Sequence, residues 1–246
     1  MNLLYGILEL VICFSGILVM DKLFGRWGLY TWMALAVVFA NIQVSKQIDF
    51  MGISTSLGNV VFASTYLTTD ILNEKYSEKS SRNAVKIAAG ALIAYIIFAQ
   101  ITQIFIPNSY DVVDPSMKTL FSMSVRITAS SGIMFLISNW CDVIIYQKLK
   151  QKTGGKYMWF RNNVSTIICN CTENFIFTYL AFLGTFSFAY CCEIALTASV
   201  VEVLIAACDT PFLYLAKKFN GKSGILIEND DDEIFAESEN SRRVNA

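Results

Sequence analysis

Seven long apolar stretches constrain the fold of this chain more than any other feature, because each is close to the roughly 20 residues needed to cross a bilayer. They lie at about 3–20, 29–46, 56–73, 84–107, 119–147, 163–187 and 193–216. Only 16% of the residues are charged, against about 25% in a soluble domain. The sequence predicts an all-α, polytopic transmembrane helical bundle. It excludes a disordered chain, a fibre and a soluble nucleic-acid-binding protein.

Two of these stretches leave alternatives open. The first could be a signal peptide, but it carries Glu9 and lacks a basic segment before it, so a helix is predicted. The third is rich in Ser, Thr and Asn. If it is re-entrant, the bundle has six spanning helices, and otherwise it has seven.

Lysine and arginine fall almost entirely on alternate connections between the stretches. Sixteen of the 19 basic residues lie in 21–28, in 74–86, in 147–162 or beyond 216. By the positive-inside rule these connections face the cytoplasm, which places the N-terminus outside and the C-terminus inside a cell (inner) membrane. A single transmembrane domain is predicted over 1–226. The acidic segment 227–246 is predicted to be a disordered cytoplasmic tail.

Ionisable side chains inside the apolar stretches point most strongly to a function, since each costs about 2.5–3.5 kcal/mol to insert at the bilayer centre. Six acids and one base fall there: Glu9, Asp70, Asp142, Glu173, Glu202, Asp209 and Arg126. One base cannot neutralise six acids, so some acids must be protonated, reach water or meet a cationic ligand. The pattern predicts a polar pathway or a binding cavity. For the three aspartates, which lie nearer the ends of their helices, contact with interface water is the alternative.

Helical spacing gathers these and other polar residues onto single faces of four stretches. The groups are Tyr66, Asp70 and Asn73, then Arg126 with Ser130 and Asn139 with Asp142, then Asn170, Glu173 and Asn174, and finally Glu202 and Asp209. Such faces are unstable against lipid, so the third, fifth, sixth and seventh helices are predicted to surround one cavity. Carboxylates, amides and aromatic rings suit a flat hydrogen-bonding heterocycle, although this chemistry does not select one ligand.

Patterns typical of enzymes and of cofactor sites do not occur in the sequence. It contains no His, no Walker motif and no Gly-x-Gly-x-x-Gly motif, and its seven Cys form no Cys-x-x-Cys pair. We therefore predict that the protein is not an enzyme and that it uses no metal, no cofactor and no nucleic acid. A retinal protein is set aside because 193–216 contains no Lys.

Three blocks of sequence carry a more specific resemblance. They are NIQVSK followed by VVFASTYLTTDILNEKYS, then RITASSGIMFLISNWCDVIIYQKLKQ, then RNNVSTIICNCTENFIFTYLAFLG with EIAL and DTPFLYL. In this order, over about residues 38–216, they resemble the YhhQ-type queuosine precursor transporters of the vitamin uptake transporter family. The resemblance implies an importer of 7-deazaguanines such as preQ0, preQ1 or queuine, which are salvaged for tRNA modification. We expect alternating access in the lipid bilayer.

The resemblance also implies a set of substrate-binding residues. The matching positions are Asn41, Tyr66, Asp70, Arg126, Ser130, Asp142, Ser165 and Asn170. Two candidates depart from the family, which usually has Asp where Glu173 stands and often has Lys where Glu202 stands. A more negative cavity favours a cationic ligand, preQ1 or queuine, over neutral preQ0. The alternative function is the substrate-binding subunit of a multi-component ATP-driven vitamin importer. The coupling ion and assembly into a homo-oligomer stay open.

Overall fold

The computed structural model is a bundle of helices with one short β-hairpin, and it describes residues 2–50, 53–121, 125–182, 184 and 186–219. The helices are α1 (Asn2–Gln43), α2 (Asn59–Lys75), α3 (Glu78–Thr102), α4 (Asp114–Phe121), α5 (Val125–Lys152), α6 (Met158–Phe182) and α7 (Phe188–Lys218). Strands β1 (Gln47–Phe50) and β2 (Ile53–Ser56) pair antiparallel, with Gln47 opposite Ser56. The predicted all-α bundle is confirmed. The predicted tail, 227–246, lies outside the described residues.

Helix α1 turns back at Gly25, which has φ 56° and ψ −139°, a conformation essentially restricted to glycine. The residues on both sides keep helical hydrogen bonding, so α1 consists of two arms, 2–24 and 26–43. These arms correspond to the first two predicted spans. The predicted connection at 21–28 is not a loop. Helical structure continues on both sides of Gly25, and this single residue reverses the direction of the chain.

The two arms of α1 run antiparallel and pack directly on each other. The Trp32 ring lies against Gly16, where a Cβ would come within 2.6 Å of it. Farther along, the Gln43 amide donates to the Glu9 carboxylate at 2.7 Å. With the arms counted separately, the described part of the chain has seven helical segments of at least 17 residues. This agrees with six to seven spanning helices.

Among the described residues, α1, α3 and α7 are long and apolar enough to cross a membrane, by length and composition. Helices α2, α5 and α6 carry many of the buried polar side chains. Those side chains lower the hydropathy of a helix without exposing it to lipid, because neighbouring helices cover them.

Several helices extend past the predicted spans into the basic connections. Helix α3 begins at Glu78 and α6 at Met158, rather than at 84 and 163. The predicted span 119–147 is divided between α4 and α5. The reason is that hydropathy locates the part of a helix that crosses lipid, whereas long basic side chains let a helix continue into the interface. Ser77 caps α3 by accepting from the Ser80 N–H at 3.1 Å, which fixes its start.

Helices α2, α5, α6 and α7 form a closed ring. Helix α2 contacts α5 and α7, and α6 contacts the same two helices. Helices α1 and α3 pack against the outside of α2, where apolar side chains such as Leu29, Leu67 and Val85 form the hydrophobic core. The ring consists of the four helices whose polar faces were predicted to surround one interior.

The two ends of this ring differ in charge. At one end α2, α5 and α7 finish with lysines and α6 begins, and we call it the basic end. The opposite end adjoins the β-hairpin and the start of α2, and we call it the hairpin end.

Candidate functional site

A cavity of about 110 Å³ lies near the hairpin end of the ring. Residues from the second arm of α1 and from α2, α5, α6 and α7 line it: Ala40, Asn41, Val44, Gly58, Asn59, Phe62, Ser131, Glu173, Asn174, Phe177 and Glu202. Two carboxylates, Glu173 and Glu202, therefore share one small cavity. No Lys or Arg is among the lining residues that the structure describes, so this described lining favours positive charge.

Glu173 is held by residues from two other helices of the ring. The Tyr66 hydroxyl donates to Glu173 Oε2 at 2.5 Å, and the Ser138 hydroxyl also contacts the Tyr66 hydroxyl. Tyr66 is fully buried. This chain of contacts links α2, α5 and α6, and it fixes the Glu173 carboxylate at the wall of the cavity.

Glu202 is oriented separately, by Asn174. The Asn174 amide donates to Glu202 Oε2 at 2.7 Å, and both side chains are buried. Two charged carboxylates on one cavity repel each other, and a cationic group bound between them would relieve that repulsion. The arrangement can therefore accept hydrogen bonds and bind a positive charge at the same place.

The remaining predicted residues fall into three groups. Asn41 lines the cavity while its amide donates to the Val37 carbonyl at 2.8 Å, and Ser130 is buried on α5. The backbone of Arg126 lies in α5, but its side chain is outside the described part of the structure. Ser165 is buried outside the cavity lining, and so are three others, Asp70, Asp142 and Asn170.

These last residues form a second layer, about one helical turn nearer the basic end. Asp70 lies four residues beyond Tyr66 on α2, Asp142 lies four beyond Ser138 on α5, and Asn170 lies three before Glu173 on α6. Such offsets correspond to about 4.5–6 Å along a helix. The sequence thus predicted one site where the structure has two stacked layers.

Within the second layer, Asp142 Oδ2 accepts from the Thr69 hydroxyl at 3.3 Å. About two turns beyond Glu202 on α7, closer to the basic end, Asp209 accepts at Oδ1 from the Asn162 amide at 2.6 Å. Across the described ranges no three acidic or thiol side chains are placed to hold a metal ion together.

A third layer, which the sequence analysis missed, closes the basic end. Glu74 lies four residues beyond Asp70 and accepts from Arg161 at 2.5 Å and from Lys217 at 2.7 Å. Lys150 contacts the same carboxylate at 3.3 Å. One acid from α2 therefore binds one base from each of the other three helices of the ring.

The sequence analysis placed residue 161 in the basic connection 147–162. That placement was wrong, because Arg161 lies in the first turn of α6 and its side chain is fully buried. Its guanidinium lies over the Tyr146 ring, 5.4 Å from the centroid. The one sequence signal for this layer was the position of Glu74, one turn past Asp70 on the same helical face.

Comparison with known proteins supplies the family. A family described as "Putative vitamin uptake transporter" matches residues 56–216, which is more than half of the chain. The chain belongs to the vitamin uptake transporter family. A relative from Bacillus subtilis (strain 168), named "Probable queuosine precursor transporter", is 31% identical over 222 residues, covering 90% of this chain and 94% of the relative. No solved structure matches the chain.

The part matched to the vitamin uptake transporter family contains almost all of the α2, α5, α6 and α7 ring. The polar residues of the cavity and of the second and third layers lie within this matched part, except for Asn41, which precedes it, and Lys217, which follows directly after it. This vitamin uptake transporter is a membrane protein. The buried carboxylates of α2, α5, α6 and α7 lie on helices of the ring, where neighbouring helices separate them from lipid.

Proposed function

We propose that this protein imports a queuosine precursor, a 7-deazaguanine such as preQ1 or queuine, for salvage into tRNA modification. The name of the Bacillus subtilis relative supports this substrate class. The single observation that carries the proposal is the cavity shared by Glu173 and Glu202, which offers two buried acceptors and no described basic side chain.

The two carboxylates of the cavity match the two polar parts of such a substrate in their chemistry. Glu173 accepts from the N–H and NH₂ edge of the deazaguanine ring, because a carboxylate can receive two parallel hydrogen bonds. Glu202 binds the positively charged amine that preQ1 and queuine carry and preQ0 lacks. Phe62 and Phe177 line the cavity and stack on the ring.

Transport proceeds by alternating access. At about 110 Å³, the cavity is smaller than the 300–1,000 Å³ of typical ligand pockets, so it widens at the hairpin end to admit the substrate. The ion pairs of Glu74 keep the basic end closed during this step. They then separate to release the substrate, while the hairpin end closes.

The protein lies in a cell inner membrane, and its basic end faces the cytoplasm. The lysines and arginines at this end support that orientation by the positive-inside rule. The N-terminus is then outside and the C-terminus cytoplasmic, and the cavity of Glu173 is reached from outside, as import requires.

The test is uptake of labelled preQ0, preQ1 and queuine by cells that cannot make queuosine, with queuosine in tRNA as the readout. The cells express the wild type, Glu173→Gln or Glu193→Gln, and the amount of each protein in the membrane is measured. Glu193 is exposed on α7, so its substitution is a matched control for the loss of one carboxylate.

We expect uptake of preQ1 or queuine by the wild type and the Glu193 variant, and loss of uptake by the Glu173 variant. If no base enters cells that contain the inserted protein, import of these bases by this chain alone is wrong. If the Glu173 variant transports normally, the cavity is not the substrate site.

A further inference from the structure

We propose that the second polar layer, around Asp70 and Asp142, binds a monovalent cation, a proton or Na⁺, that is transported together with the substrate. This inference rests on the proposed transport function but concerns a site separate from the cavity of Glu173. The layer lies between that cavity and the Glu74 ion pairs, about one helical turn from each.

Asp70 is the main observation. Its side chain is fully buried, and neither carboxylate oxygen accepts a hydrogen bond from any residue that the structure describes. Asp142 is also fully buried, and the Thr69 and Ser165 hydroxyls interact with its carboxylate. Buried polar atoms are almost always hydrogen-bonded, so the two Asp70 oxygens, which no described donor reaches, indicate a ligand that satisfies them.

Further buried polar groups lie on the same helices near these carboxylates in sequence. The side-chain amides of Asn73 and Asn170 and the Thr166 hydroxyl are buried and have no partner among the described residues. Asn73 is three residues beyond Asp70 on the same face of α2, and Thr166 precedes Asn170 by one turn of α6. Carboxylate, amide and hydroxyl oxygens are the ligands that hard cations prefer.

The charges around Asp70 favour a cation as the ligand. The titratable groups that act on it come from every helix of the ring, namely Glu74, Asp142, Tyr146, Arg161, Cys169 and Asp209. Arg161 is the one base in this set, and its guanidinium is already bound to Glu74. The layer therefore retains negative charge that a single bound cation would offset.

The position of the layer couples the cation to the substrate. Tyr66 and Ser138, which meet at the Glu173 carboxylate, each lie one turn from an aspartate of this layer. A cation that draws Asp70 and Asp142 together therefore moves α2 and α5 at the point where they hold Glu173. Binding at one layer changes the geometry of the other.

The test uses the purified full chain in liposomes and labelled preQ1. Accumulation is measured under an inward Na⁺ gradient, an inward proton gradient and neither gradient. Counterflow, the exchange of labelled for unlabelled preQ1, is measured with equal ions on both sides. The test variant is Asp70→Asn, and Asp142→Asn replaces it if Asp70→Asn does not fold. The control is Asp114→Asn, whose carboxylate pairs with the exposed Lys118.

For wild type, one of the two gradients should drive accumulation, and its identity distinguishes a proton from Na⁺. In Asp70→Asn that accumulation should fall by about tenfold while counterflow falls by no more than about twofold. If wild type accumulates preQ1 when neither gradient is applied, the proposal is wrong. A folded variant that accumulates like wild type also overturns it, and so does one that loses counterflow as well, since Asp70 would then bind the substrate itself.

A second measurement needs no substrate and separates this proposal from the proposed function. The melting temperature of the detergent-solubilised wild type and of Asp70→Asn is compared in NaCl and choline chloride, and at two pH values. A ligand that binds the native state raises its melting temperature, so wild type should respond to Na⁺ or to pH more than the variant. Equal responses of the two proteins overturn the cation site even if preQ1 is not the substrate.

Discussion

The Arg161 guanidinium donates to the Glu74 carboxylate at 2.5 Å, although the two residues are 87 positions apart in the sequence. The side chain of Arg161 is 0% exposed and that of Glu74 is 5% exposed. Because Lys150 and Lys217 contact the same carboxylate, Glu74 joins all four helices of the ring at the basic end. Of the three bases, Arg161 is the one whose side chain is fully buried, so its charge depends most on Glu74.

Loss of the Glu74 charge should destabilise the protein strongly. Glu74→Gln leaves the Arg161 guanidinium buried without a countercharge, and removing one partner of a buried pair costs about 3–5 kcal/mol. The matched control is Asp114→Asn, which removes a carboxylate paired with an exposed lysine and should cost about 0–1 kcal/mol. Thermal unfolding in detergent measures both, and equal shifts would contradict the assigned role of Glu74.

Removal of the Tyr66 hydroxyl should impair transport and also lower the free energy of unfolding. Tyr66→Phe keeps the buried ring but removes the donor at 2.5 Å from Glu173, so the carboxylate loses its orientation. A hydrogen bond to a charged group contributes about 1.5–3 kcal/mol, and we expect uptake of labelled preQ1 to fall about tenfold or more. Tyr110→Phe, at a residue that is 90% exposed, is the control. Unchanged uptake by the Tyr66 variant would show that the hydroxyl does not position Glu173.

Substitution of Glu202 should change substrate preference rather than abolish transport. Glu202→Gln keeps a side-chain oxygen that can accept the hydrogen bond from the Asn174 amide, but it removes the negative charge expected to bind the substrate amine. We expect uptake of cationic preQ1 to fall about tenfold relative to neutral preQ0, consistent with about 1.4 kcal/mol of lost charge interaction. Competition between the two bases measures this ratio, with Glu193→Gln as control. A wild type that prefers preQ0, with no change of ranking in the variant, would refute the role of Glu202.

The reversal of α1 should depend on glycine at position 25. Gly25→Ala places a Cβ on a residue with φ 56° and ψ −139°, and such strain costs about 1–3 kcal/mol. Gly90→Ala is the control, because a Cβ there meets nothing within 4 Å, and it should stabilise α3 by about 0.5–1 kcal/mol. The two variants should therefore shift thermal unfolding in opposite directions. A neutral Gly25 variant would mean that the reversal does not need glycine.

The sequence could predict the ring because the buried polar residues recur with helical periodicity. Asp70 follows Tyr66 by four positions, and Glu173 follows Asn170 by three, so each pair lies on one face whatever the neighbouring helices are. The apolar stretches supplied the number and order of the helices, and the alternation of basic connections supported that number.

The ion pairs of Glu74 could not be predicted by these means. Hydropathy assigned Glu74 and Arg161 to connections, because charged residues lower the average although the helix continues through them. Their partnership also depends on how four helices meet in space, which spacing along one helix does not specify. The division of the polar residues into stacked layers was missed for the same reason.

The most direct test of the central claim is counterflow of labelled preQ1 into liposomes that contain only the purified full chain. The account predicts exchange by the wild type and by Glu193→Gln, and its loss in Glu173→Gln, without any partner protein. Absence of exchange by a folded wild type would contradict transport by this chain alone and would favour an ATP-driven importer that needs further subunits. Exchange by Glu173→Gln at the wild-type rate would contradict the assignment of the cavity as the substrate site.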